Sequence, residues 1–260
     1  FTYLAMSNST VYTRGTSAAP PQADFQGSWP LVRSVQLSPA GGTAYTLQYA
    51  YSEGRIDFQG RGFLGMKSRL VTDLRDNKTT TEVYRQDFPY IGALESAASR
   101  QPGSGLMIDS VSHTYDKHVL DSTSNNQRYL PYRPTSVTQR YEVGGVKNGT
   151  LISQTTESRT VNTLGNTTTA SAVIVDYDSG SPDYYASYTQ NVATSFSADQ
   201  TNWCLSLPVS RTETRTQPGG ASEARAASWV VSGTQCRVTQ QTIEPGAGST
   251  VSLVTDPGYD

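Results

Sequence analysis

The chain has 260 residues, 35% of them hydrophobic and 16% charged, with 16 tyrosines and a net charge of −2. A charged fraction below the usual ~25%, with a polar remainder of Thr, Ser, Gln and Asn, disfavours long solvent-exposed helices and favours pleated surfaces. With 20 basic against 22 acidic residues there is no positive surplus to neutralise a nucleic-acid backbone, and no apolar run approaches the ~18 residues of a membrane-spanning helix.

These limits predict an all-β chain, an extended, curved antiparallel β-meander with long surface loops. The first residues, Phe1-Thr2-Tyr3-Leu4-Ala5, lack an initiator Met and a charged leader, so residues 1–260 read as a single β-rich segment of a larger protein. Residues 15–30, from Gly15 through Pro20-Pro21 to Trp29-Pro30, read as a surface loop. In 43–51 the odd positions Tyr45, Leu47, Tyr49 and Tyr51 form one apolar row, the period-two mark of a strand. Gly60-Arg61-Gly62-Phe63-Leu64-Gly65 satisfies G-x-G-x-x-G, but Met66 to Thr72 alternates as a strand and no βαβ unit surrounds it. It reads instead as a glycine-dense turn between strands 55–59 and 63–72, with Phe63 and Leu64 packing inward.

Residues 95–105 read as a second loop. The segment 106–120 matches helical spacing at Ile108, Val111, Tyr115 and Val119, but its Val, Thr, Tyr and Ser content assigns it to a strand. Two further rows follow, Val137, Tyr141 and Val143, then Val173, Val175 and Tyr177. Between the runs stand turn clusters such as Arg75-Asp76-Asn77, Leu164-Gly165-Asn166 and Pro218-Gly219-Gly220, the last joining 203–216 to 221–231 in a hairpin. The layout of 73–80 recurs at 162–169, and a third relative begins at Thr255-Asp256-Pro257-Gly258. A strand array that grows by adding hairpins is the architecture this suggests.

Candidate chemistry is sparse. His113 and His118 are the only histidines, and five residues of strand place them on opposite faces, so they do not share a metal. Glu53, Asp57, Asp73 and Asp87 sit beside turns, where Asx turns explain them more simply than glycosidase acid/base work. No catalytic, cofactor-binding or metal site is assigned, and the N-x-S/T triplets at Asn8, Asn77, Asn148 and Asn166 carry no glycosylation assignment. Cys204 and Cys236 are the only cysteines, too few for an all-cysteine zinc site. They form either a disulfide, given an oxidising compartment, or two half-buried free thiols.

One stretch carries a longer pattern. Tyr49 to Gly65 contains Gly54-Arg55-Ile56-Asp57-Phe58-Gln59-Gly60-Arg61-Gly62-Phe63-Leu64-Gly65, and Thr79 to Gly92 contains Tyr84-Arg85-Gln86-Asp87-Phe88-Pro89-Tyr90-Ile91-Gly92. Together they resemble the segment between the N-terminal propeller region and the tyrosine-aspartate repeats of SpvB/TcB-type insecticidal toxin-complex proteins of the Rhs superfamily. The match covers 49–92, and the hairpins of 106–260 follow it in strand-turn style, with Val175-Asp176-Tyr177-Asp178-Ser179-Gly180 echoing the repeat. The resemblance implies a structural, non-enzymatic piece of a secreted or cell-surface toxin, whose β-shell encloses a C-terminal toxic domain. The partners it implies are the rest of the same polypeptide, that enclosed domain and other toxin-complex subunits. Asp256-Pro257-Gly258 lacks the flanks of the self-cleavage motif found at the end of such shells and is not assigned to it.

Two other classes compete. A carbohydrate-binding or adhesin β module of a bacterial surface protein would stack sugar rings on Trp29, Trp203 or Trp229, and a glycoside hydrolase would need two carboxylates facing each other about 5–10 Å apart. An isolated sheet segment also exposes edge strands, through which copies are expected to self-associate.

Overall fold

A computed structural model describes residues 1–123, 127–182 and 184–244, together with the backbone of 253–255. The described residues are strands, turns and loops throughout, and the chain divides into two compact units. Unit 1 comprises Phe1–His113 and Thr138–Ile152, and unit 2 comprises Thr114–Val137 and Ser153–Asp260.

Unit 1 contains β1 (Thr2–Ala5), β2 (Tyr12–Thr13), β3 (Gln22–Asp24), β4 (Pro30–Leu37) and β5 (Tyr45–Ser52). These are followed by β6 (Arg55–Asp57), β7 (Gly62–Phe63), β8 (Ser68–Asp73), β9 (Lys78–Tyr84) and β10 (Leu94–Arg100). The long strands β11 (Met107–Asp121) and β12 (Arg128–Tyr141) each contribute residues to both units. Unit 2 continues with β13 (Leu151–Val161), whose first two residues belong to unit 1, and with β14 (Thr167–Asp176), β15 (Ser187–Asp199) and β16 (Cys204–Thr216). It ends with β17 (Ser222–Ser232), β18 (Arg237–Ile243) and β19 (Leu253–Thr255).

Hydrogen bonding orders the main sheet β1-β4-β5-β8-β9-β10 and then β11 through β19 in sequence, with β2 lying parallel beside β5. β3, β6 and β7 form a separate small sheet. The main path ends at β1 on one side and β19 on the other, so it is an open, antiparallel all-β meander. Several strands adjacent in sequence are adjacent in the sheet because a short turn with polar closure joins them, as at β8–β9 and β13–β14. At 73–80 the Asp73 carboxylate accepts the Arg75 amide at 3.0 Å, and at 162–169 the Asn162 side chain accepts the Leu164 amide at 3.0 Å. The two related stretches therefore close the β8–β9 and β13–β14 hairpins with the same Asx contact. The third relative, at 255–260, lies outside the described residues apart from the backbone of Thr255.

Several expectations are corrected. The loop expected over 95–105 is confined to 101–106: β10 runs to Arg100, pairing with β9 on one side and β11 on the other. Its Glu-Ser-Ala-Ala-Ser content has weak β-propensity, and two-sided pairing overrides it. The 15–30 segment likewise contains β3, which pairs with β6. The strand expected over 55–59 ends at Asp57, and the one expected from Phe63 breaks before β8 begins at Ser68. Val143 and Tyr177 lie beyond the ends of β12 and β14, at 55% and 48% exposure, so both apolar rows stop short of them.

The units differ in packing. Unit 1 has a core in which Met6, Val11 and Tyr12 are buried, with Leu4, Phe25, Leu31, Tyr51 and Met66 packed against them. Leu64 is also buried. In unit 2 the buried apolar side chain among the described residues is Cys204, a half-cystine. Its strands are half-buried along most of their length, with β14 intermediate at nine of ten positions. Backbone ladders and cross-strand side-chain pairs, rather than a packed interior, hold this sheet.

Candidate functional site

The two halves of the long motif meet in unit 1. At the end of β5, Glu53 takes a left-handed φ of 54° and turns the chain into Gly54, which is buried. The Gly54 amide donates to the Tyr12 hydroxyl at 2.9 Å, and that hydroxyl donates to the Phe25 carbonyl at 2.5 Å. The Phe25 amide returns to the Gly54 carbonyl at 2.7 Å. Burial pushes the Tyr12 hydroxyl above its ordinary pKa, which keeps it a donor in this three-way junction. A methyl on Gly54 would lie 3.0 Å from Met6 Cε, 3.1 Å from Met66 Sδ and 3.1 Å from the Tyr12 oxygen, so only glycine fits here without displacement.

Gln86 joins the second half to the first. Its buried side-chain amide donates to the carbonyls of Glu53 at 2.7 Å and Gly65 at 2.8 Å. The turn between them is closed by the Leu64 amide on the Arg55 carbonyl at 2.8 Å and the Arg55 amide on the Gly65 carbonyl at 3.2 Å. Asp57, buried, accepts the Gln59 amide at 2.8 Å, and Gly60 and Gly62 follow with positive φ. Phe63 meets Phe25 and Trp29 edge-on at 5.5 and 5.1 Å, while the Arg61 guanidinium lies 4.5 Å from the Phe88 ring. Arg85 pairs with Asp87 at 2.6 Å and lies over Tyr90 at 5.1 Å. The Gly92 amide closes back on Arg85, and the Phe88–Pro89 bond is cis. Tyr84 donates to Glu82, which also accepts from Arg69. Burial opposes ionisation of Glu82, but the bonds from Arg69 and Tyr84 outweigh it and hold its pKa low.

This arrangement is a clasp. It ties β5, the small sheet and the 85–92 turn together through paired polar groups, and presents no nucleophile beside a base. Of the four carboxylates considered for acid/base work, three are engaged, Asp57 with Gln59, Asp73 with Arg75 and Asp87 with Arg85, while Glu53 enters the clasp through its backbone carbonyl. Hydrogen bonds from Arg75, Arg85, the Thr123 amide, the Asn202 side chain and Arg215 hold Asp73, Asp87, Asp121, Asp199 and Glu213, respectively, below the usual carboxylate range. A general acid working near neutrality requires the opposite shift. His118 bonds to the Val161 carbonyl and stacks on Tyr132 at 5.1 Å. Among the described residues, no three His, Cys, Asp or Glu side chains gather as a metal site.

In unit 2 a disulfide joins Cys204 and Cys236, with a Cα–Cα distance of 5.2 Å. It connects the first residue of β16 to the turn before β18. The tryptophans have separate settings: Trp29 in the aromatic group at 46% exposure, Trp203 at a turn at 77%, and Trp229 half-buried at a concavity on the sheet face. A second concavity of about 410 Å³ has Ala170 and Ala172 on β14 between Arg159 and Glu157 on β13 and Val192 and Gln190 on β15. Sequence reasoning missed Tyr12 and Phe25, both essential to the clasp. Two aromatic residues bracketing a Pro-rich stretch were the available signal.

No family model matches the chain, and no curated protein matches it. Among solved structures, the Tc holotoxin pore of Photorhabdus luminescens shares the fold, with a TM-score of 0.58 at 10% identity over 77% of this chain. The match spans about 15% of that chain's length. A porin-like protein from Bacteroides vulgatus aligns over 87% of this chain and 97% of its own at 10% identity, but its TM-score of 0.26 carries no correspondence.

Proposed function

We propose that this chain is a non-enzymatic structural segment of a secreted or surface-located Rhs/TcB-like toxin, forming part of a β-shell around a C-terminal toxic domain. The observation that carries this reading is the contrast between the units: a clasped, cored unit 1 and a unit 2 sheet with scarcely any buried apolar interior. A sheet of long strands without a core of its own is suited to being one wall of a larger assembly, where other parts of the polypeptide cover it. The fold shared with the Tc holotoxin pore and the residues of 49–92 support the same reading. In this role, mechanism means enclosure. Short Thr, Ser and Gln side chains and internally paired charges offer few sites at which a cargo would stick. The partners are the remainder of the polypeptide, its enclosed domain and neighbouring toxin-complex subunits.

The test is electron cryomicroscopy of the longest natural polypeptide containing this chain. The reading predicts that further strands add beyond the β1 and β19 edges and that one sheet face borders an enclosed volume. A free-standing module with both edges in solvent would overturn it.

A further inference from the structure

We infer that unit 2 carries a saccharide-binding socket over Ala227. The strand register builds it. Across the sheet Ala227 lies opposite Arg211 of β16 and Ile243 of β18, and along β17 it is flanked on the same face by Arg225 and Trp229. One small residue surrounded by four large ones leaves a depression of about 370 Å³, with Gln241 opposite Trp229 at its rim. That volume accommodates a pyranose ring.

The lining chemistry selects the ligand class. Two guanidinium groups, Arg211 and Arg225, face two carboxylates, Glu213 and Glu244, so the socket has no net charge and favours neither a polyanion nor a cation. Arg211 pairs with Glu213 at 3.2 Å, while Arg225 stands 3.6 Å from Glu244, beyond hydrogen-bond reach. Glu244 Oε1 is buried and accepts no hydrogen bond among the described residues. A buried carboxylate oxygen held by a long ion pair alone is under-satisfied, and a ligand hydroxyl would complete its hydrogen bonding. A sugar ring supplies what the socket lacks: an apolar C–H face for the half-buried Trp229 indole, and adjacent hydroxyls for planar carboxylate, guanidinium and amide groups. The neighbouring face carries further Arg–Glu pairs, with Arg215 on Glu213 at 2.7 Å and Arg225 on Glu223 at 2.7 Å.

The experiment uses the whole 260-residue chain, nitrogen-15 labelled, titrated with neutral mono- and oligosaccharides of glucose, galactose, mannose and N-acetylglucosamine. The three tryptophan indole N–H resonances are assigned by single Trp→Phe replacements. The expected result is a saturable shift of the Trp229 resonance with at least one sugar, with Trp29 and Trp203 unmoved. Glu244→Gln should weaken that binding about tenfold or more. No shift at Trp229 with any sugar in the panel, or shifts confined to Trp29 or Trp203, would overturn the inference. Neither result bears on whether the chain is a shell segment.

Discussion

At Gly54 the fold depends on one missing methyl group. A methyl there would meet Met6, Met66 and Tyr12 at 3.0–3.1 Å, so each must give by a few tenths of an ångström, and Tyr12 is tied by its bond from the Gly54 amide. Gly54→Ala should cost about 1–3 kcal/mol through overpacking, read as a lower urea midpoint with an unchanged m-value. An unaltered midpoint would show that the junction is loose. Gln86→Leu should cost a similar ~1–3 kcal/mol, because it strands the buried-side carbonyls of Glu53 and Gly65. The acidic residues set a pH dependence at the same scale. Asp73, Asp87, Asp121, Asp199 and Glu213 all have folded-state pKa values below their ordinary ones of 3.8 and 4.5. Their stabilisation is complete above those ordinary values and is lost as pH falls through the depressed ones. The melting temperature should therefore hold level from neutral pH to about 5 and decline below about 4. A decline beginning near pH 6 would contradict this assignment to the paired carboxylates.

At the scale of elements, the disulfide is the one covalent staple, and it lies in the unit without a packed core. It closes a sequence separation of 32 residues, worth about 3–4 kcal/mol on a chain-entropy model. A reducing agent should lower the melting temperature of unit 2, and a Cys204→Ser/Cys236→Ser double variant should reproduce the shift without reductant. Equal melting with and without reductant would contradict the stapling role. Much of this layer was legible in the chain. Period-two rows located β5, β12 and β14, residue content located β11 against its helical spacing, and Pro218-Gly219-Gly220 located the β16–β17 turn, because strand period, β-propensity and turn chemistry are local properties. β10 was hidden because its Ala and Ser residues become a strand only through neighbours on both sides. β3 was hidden because three residues beside a Pro-rich stretch become a strand only by pairing with the sequence-distant β6. The motif residues from Gly54 to Gly92 announced themselves as a pattern, but not that Gln86 would be the bond joining its halves. That role depends on two carbonyls 33 and 21 residues away.

Across the whole molecule, stability is expected to be uneven. Unit 1 buries Met6, Val11, Tyr12 and Leu64 and locks them with the clasp, whereas unit 2 relies on ladders, paired polar side chains and one disulfide. Amide protection follows buried contacts and local opening free energies. Native-state hydrogen exchange read by mass spectrometry on the isolated chain tests this most directly. The account predicts that β5, β8 and β9 exchange slowest and that β14 to β18 exchange at least about tenfold faster, in keeping with a wall that other parts of a larger protein would cover. Uniform protection through both units, or slower exchange in β14 to β18, would contradict it and make unit 2 a self-sufficient domain.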